Sequence, residues 1–170
     1  EEADWGNRLL DETRAKTDAA GMKEIAWIRE WWWHRGQQAE DGKATLIDGS
    51  RVDNMLCLSY RGEHYQALPA QGKQLIDRGI YFHCTDPEMY SRGDLICFSE
   101  NCKARFRDYL VKKAPSLTYL DPAVFEKEPE KHPELHTKWE EFKSWSYIEF
   151  FAEYRREMEA YMAEKGLKEP

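Results

Sequence analysis

Gly79-Ile80-Tyr81-Phe82-His83-Cys84-Thr85-Asp86-Pro87-Glu88 is the stretch on which the fold reading turns: an apolar, strand-like run ending in two carboxylates separated by a proline. Along an extended strand, alternation puts Asp86 and Glu88 on the same side, and Pro87 cannot continue a ladder from an interior position. The run therefore reads as a strand whose end is a candidate active-site rim. Two further runs end in aromatic or polar groups, Ile25 to Trp33 and Met55 to Tyr60. Three such endings on one face are the expectation.

Helical spacing fills the intervals. Trp5, Leu9, Ala15 and Ala19 predict a helix over Asp4 to Ala20 that stops at Gly21. Tyr65, Leu68, Leu75 and Ile76 mark a second, with Pro69 and Gly72 working against its middle. Ser99 is placed to cap a third helix from Glu100 to Lys113, in which Cys102, Phe106, Tyr109 and Leu110 recur at the right interval. Residues 37–54 are polar, with Asp41-Gly42 and Asp48-Gly49 as turn signals, and read as a long loop or a small hairpin. Leu135, Trp139, Phe142 and Trp145, then Tyr147, Phe151, Tyr154, Met158 and Tyr161, predict a final helix of roughly 30 residues.

Helices alternating with apolar strands point to an α/β fold with a parallel sheet. The expected organisation is (β/α) units over 1–113, a Pro-rich extended connection over 114–133, and a long amphipathic helix over 134–170 on the same domain. Ligands in such folds collect outside the carboxyl ends of the strands. A complete eight-stranded barrel takes about 250 residues and at least about 200. At 170 residues the chain reads as part of one, or as a smaller α/β domain.

Composition narrows the partners. A formal charge of -7 argues against a general polyanion binder, so nucleic acid is not an expected partner. No apolar run is long enough for a membrane-spanning helix, and no membrane partner is expected. Localisation stays open between the cytoplasm and export with a cleaved signal. Four cysteines are too few for a disulfide framework, and Cys57 and Cys84 read as buried small hydrophobes.

The seven tryptophans and nine tyrosines suit a large core or a sugar-stacking cleft. Three consecutive indoles, Trp31, Trp32 and Trp33, cannot all face one core, which makes them and His34 candidates for carbohydrate binding. Ser59, Tyr60, Arg61 and His83 join them as candidate substrate contacts. Two neighbouring carboxylates push their pKa values apart, so Glu88 is the candidate general acid and Asp86 its electrostatic neighbour.

Asp94-Leu95-Ile96-Cys97-Phe98-Ser99-Glu100-Asn101-Cys102-Lys103-Ala104-Arg105-Phe106-Arg107-Asp108-Tyr109-Leu110, followed by Pro115-Ser116-Leu117-Thr118-Tyr119-Leu120, resembles a stretch of barrel glycoside hydrolases of the β-galactosidase type. There a C-x-C-x-x-C segment leads into a helix of the form F-R-x-[WY]-L. The resemblance implies part of a (β/α)8 TIM barrel and hydrolysis of a glycosidic bond. It also brings in the family's zinc site, but Ser99 stands where the middle cysteine would be. Cys97 and Cys102 are left as candidate ligands, short of the four that a closed zinc site needs, and no cofactor is expected. The strand ending Asp86-Pro87-Glu88 resembles the family's acid-bearing strand, which implies Glu88 as general acid/base. Its Asp-x-Glu spacing is also similar to chitinase-like barrels, which use a substrate acetamido group in place of an enzyme nucleophile.

The expected partner is a carbohydrate substrate, with a homo-oligomer or the remainder of a barrel as protein partner. Two alternatives stand beside hydrolysis: a non-catalytic carbohydrate-binding or assembly module using the Trp cluster, and a metal-dependent hydrolase using Asp86, Glu88 and either His83 or His34.

Overall fold

Residues 2–28, 40–85 and 97–167 are the parts of the chain that the computed structural model describes. Helix dominates them. In chain order they form α1 (Glu2–Ala19), β1 (Ile25–Ile28), a 3-10 turn (Glu40–Gly42), β2 (Lys43–Thr45), β3 (Arg51–Leu56), α2 (Glu63–Asp77) and β4 (Phe82–Thr85). There follow α3 (Glu100–Lys113), α4 (Pro122–Phe125), a 3-10 turn (Pro129–Lys131) and α5 (Pro133–Glu164).

The long helix organises the rest. α5 has 32 residues, about 48 Å at 1.5 Å per residue, and buries Trp139, Phe142, Ser146, Phe150, Tyr154, Met158 and Met162 at intervals of three and four. Pro133 occupies its first turn, where a missing N–H is harmless and a fixed φ is already helical. It ends in a Schellman motif: Leu167 N–H donates to Met162 O at 2.9 Å and Gly166 N–H to Ala163 O at 3.0 Å, with Gly166 at φ +68.

α3 lies against the first half of α5. Phe106, fully buried, meets Trp139 edge-on at 5.0 Å between centroids and Phe142 at 5.4 Å, while Trp139 and Phe142 stack at 5.2 Å. Short α4, capped by Asp121 accepting from Ala123 N–H at 2.9 Å, adds buried Phe125 beneath Trp139. Residues 114–133 therefore hold a helix and a 3-10 turn, where the prolines alone predict an extended connection.

α2 covers the second half of α5. Gly72 allows the approach, because a Cβ there would lie 2.4 Å from the Tyr154 hydroxyl and 2.6 Å from Met158 Sδ. Tyr65 meets Phe150 edge-on, Lys73 pairs with Glu157 at 2.7 Å, and Tyr161 donates to Asp77 at 2.9 Å.

Two small sheets complete the architecture, and they overturn the expected α/β barrel-like fold. β1 and β4 are parallel, in register from Ile25 opposite Phe82 to Ile28 opposite Thr85. β2 and β3 form a separate antiparallel hairpin. The run Met55 to Tyr60 is therefore no third parallel strand: β3 ends at Leu56, and Cys57 to Tyr60 turn through the interior. Their apolarity has another cause, since Met55, Cys57, Leu58 and Tyr60 belong to the same buried cluster as the aromatic residues of α3 and α5. A short apolar run has no periodicity with which to separate these cases. Only two of the three expected strand endings share an edge.

Gly72→Ala sets helix propensity against packing. The exchange gains at most about 1 kcal/mol of propensity, whereas overpacking an interior contact costs roughly 1–3 kcal/mol. Equilibrium urea unfolding is expected to show a net loss of stability, and an unchanged or raised midpoint would mean that α2 and α5 are not in close contact there.

Candidate functional site

The parallel pair sets the geometry of the candidate rim. Asp86 and Glu88, and Trp31, Trp32, Trp33 and His34, lie outside the described residues, but the points from which the chain leaves for them do not. Ile28 and Thr85 are direct partners across the pair. Trp31 is three residues beyond Ile28, and Asp86 immediately follows Thr85.

The remaining predicted contacts are occupied inside the fold. Ser59 and Tyr60 are buried. Arg61 donates through Nε to Glu153 at 2.6 Å and through Nη1 to the Leu58 and Tyr60 carbonyls at 2.5 and 2.8 Å. Arg105 donates to the other Glu153 oxygen at 3.0 Å, so one α5 carboxylate holds two guanidinium groups. Burial pushes the Glu153 pKa up, but the hydrogen bonds and charges of Arg105 and Arg61 win and hold it below the ordinary value. These groups knit the β3–α2 turn and α3 to α5.

His83 is likewise engaged at both ring nitrogens. Nε2 lies 3.1 Å from the Ile80 carbonyl and Nδ1 lies 2.6 Å from the Tyr154 hydroxyl. A carbonyl only accepts, which assigns the proton to Nε2 and makes Nδ1 the acceptor of the Tyr154 O–H. Burial lowers the His83 pKa, with the Ile80 carbonyl opposing. Neither nitrogen is left for a metal or a substrate without breaking this link.

The cysteines form the most concentrated chemistry among the described residues. Cys57 follows β3, Cys97 precedes α3, and Cys102 lies in its first turn; their three sulfurs are within 4.8 Å of one another. Cys57 Sγ is 3.2 Å from Cys102 Sγ, and Ser99 Oγ is 3.2 Å from both Cys57 and Cys97 Sγ. Cys102 Sγ donates to Ser59 Oγ at 3.5 Å. Backbone bonds hold the elements together: Cys57 N–H to Gly42 O at 2.8 Å joins the open ends of the hairpin, and Phe98 N–H to Thr45 O at 2.6 Å docks it on the chain entering α3. Ser99 also caps α3, accepting from Cys102 N–H at 3.4 Å.

Burial pushes the Cys57 thiol up to about 12, and Cys102 is raised through its neighbouring cysteines. Cys97 moves the other way, held well below the ordinary thiol range by hydrogen bonds from Cys102 and Cys57. Sequence spacing paired only Cys97 with Cys102; Cys57, 45 residues upstream of Cys102, is the member it missed. The one available signal was a second Cys-x-Ser, at Cys57 and Ser59, matching Cys97 and Ser99.

The donor set fits the zinc that the resemblance implies in three of four positions. Zn–S bonds of about 2.3 Å in a tetrahedron separate sulfurs by about 3.8 Å, consistent with three within 4.8 Å. Cys57, Cys97 and Cys102 would hold the ion, and the Ser99 hydroxyl is hydrogen-bonded to the sulfurs of Cys57 and Cys97. A metal there would supply a cross-link between the hairpin and α3.

No helix among the described residues is long and apolar enough to cross a membrane. Two outcomes follow from the side-chain geometry. Co2+ added to the reduced protein is expected to give thiolate charge-transfer absorption that weakens in Cys57→Ser; absorption indifferent to that substitution would remove Cys57 from the ligand set. His83, whose folded pKa lies below its ordinary 6.5, contributes stability that is present above that value and is lost as pH falls toward the depressed one. Chemical unfolding at pH 7.5 and 5.5 should therefore show a smaller acid loss for His83→Gln than for the natural sequence, and equal losses would contradict the assigned neutral tautomer. Compared with protein-family models, curated proteins and solved structures, the chain matches none of them.

Proposed function

We propose that the chain acts on carbohydrate at the edge where β1 and β4 end, cleaving a glycosidic bond with Glu88 as general acid and Asp86 as the neighbour that raises its pKa. The observation that carries this reading is the parallel register of Ile28 with Thr85. Adjacent strands lie about 4.8 Å apart, and a chain reaches at most about 3.5 Å per residue. In sequence, Trp31 and Glu88 each follow one of these two paired strand ends by three residues. Indole faces stack on sugar C–H surfaces, Glu88 gives its proton to the leaving oxygen as the glycosidic bond breaks, and a water or a substrate acetamido group forms the new bond to the anomeric carbon. The site can do this on a mainly helical scaffold, since function belongs to the site and not to the fold that carries it. The carbohydrate substrate is the expected partner.

A second reading is glycan binding without turnover, through the Trp cluster. Ser59, Tyr60, Arg61 and His83, read from the sequence as substrate contacts, are all committed within the fold, so under either reading they supply no contact at that edge. The metal-dependent alternative loses His83 as a ligand for the same reason.

The two readings separate in one pair of measurements on the natural sequence and Glu88→Gln: chromogenic glycoside turnover, and tryptophan fluorescence titrated with the same glycans. Loss of a general acid is expected to lower turnover roughly 10²–10⁴-fold while affinity stays within about a factor of three. Turnover surviving the substitution removes Glu88 from the role. Binding without turnover in the natural sequence selects the binding module.

A further inference from the structure

The start of α5 meets the end of α4 in a cluster that carbohydrate chemistry does not use. His136 and Glu140 are one turn apart on α5 and share a face. Glu126, the C-cap of α4, reaches the same point, because Phe125 beside it packs beneath Trp139. One ligand atom from each of the three lies within 4.8 Å of the others.

The distances show an incomplete arrangement. His136 Nε2 is 3.4 Å from Glu126 Oε1 and 4.0 Å from Glu140 Oε1. Neither approach is a hydrogen bond, and Glu126 Oε1 is buried without a hydrogen-bond partner although its side chain is only 12% exposed. A buried carboxylate oxygen left in that condition is unfavourable, and native structures fill such gaps. Lys143 pairs with Glu140 through Oε1, the same oxygen that lies 4.0 Å from His136 Nε2, so a metal ion at this point takes the place of that ammonium or uses the other carboxylate oxygen.

We infer that Glu126, His136 and Glu140 bind a divalent transition-metal ion of the zinc type, through imidazole Nε2 and one oxygen from each carboxylate. One imidazole with two carboxylates is a nitrogen and oxygen set suited to borderline divalent ions, and three protein ligands leave a coordination position for water. Bond lengths near 2.0–2.2 Å in a tetrahedron separate ligand atoms by about 3.3–3.6 Å, so the 3.4 Å approach already matches and only the 4.0 Å one has to close. The set shares no residue with the cysteine cluster. Its consequence for the fold is a clamp between the α4 turn and the first turns of α5.

The test is a Zn2+ titration of the full chain, reduced, followed by long-range 1H–15N correlation of the histidine rings. Zinc held by the thiols does not register on His136, so the readout belongs to this site alone. The expected result is a saturable shift of His136 Nε2, weakened roughly ten-fold or more in both Glu126→Gln and Glu140→Gln and unchanged in His132→Gln. Glu140 is exposed, so its variant gives the answer if Glu126→Gln does not fold. An unshifted His136 ring at saturating zinc, or a shift that survives both glutamine variants, overturns the site.

Discussion

The burial of one face of α5 is the constraint on which the structure depends. Within a protein most of a helix's stability comes from packing its amphipathic face, so this helix of 32 residues needs partners along its length. α5 finds two partners at different heights: the aromatic set around Phe106 toward its start and the close approach at Gly72 toward its end. The flanks then fix rotation and register. Glu153 takes Arg61 and Arg105, Glu157 takes Lys73, and Tyr161 reaches Asp77. Exposed ion pairs contribute little, but Glu153 is three-quarters covered and shared by two guanidinium groups, so its loss would leave charges with poor solvation.

The thiol cluster occupies the other junction, between the hairpin and the start of α3. Ser99 has two tasks there, capping α3 and standing between the sulfurs of Cys57 and Cys97. A cysteine in its place would be a weaker cap, because sulfur is a poor acceptor for a backbone N–H. The serine thus favours a well-ended helix over a fourth thiolate.

Legibility in the sequence follows periodicity. α5, α3 and the Ser99 cap were readable because their apolar residues recur over several turns, and the stop at Gly21 because glycine takes the positive φ that closes a helix. Pro69 and Gly72 misled in the opposite sense, since tertiary packing carries α2 through both. Strand pairing was not readable: the runs ending at Ile28, Leu56 and Thr85 differ in partner and direction, and neither property is local. The thiol cluster depended on the same non-local information. Nothing near Cys57 distinguishes a buried small hydrophobe from a cluster member until the hairpin is docked on α3.

The edge that carries the proposed chemistry inherits its position from α5. A two-stranded parallel pair is weakly stable by itself, and this one leaves Ile25 67% and Phe82 42% exposed. β4 is fixed at one end by Gly79, at φ +77, where the Schellman closure of α2 directs Ile80 back to Leu75 O at 2.9 Å. It is fixed along its length by His83, whose ring bridges Ile80 and Tyr154 of α5. β1 is then positioned through its register with β4. The link is therefore a chain of contacts from the aromatic face of α5, through one imidazole, to the strand ends at Ile28 and Thr85. A perturbation at Tyr154, remote from those ends in sequence, should reach them through His83 more directly than one on the exposed faces of the strands.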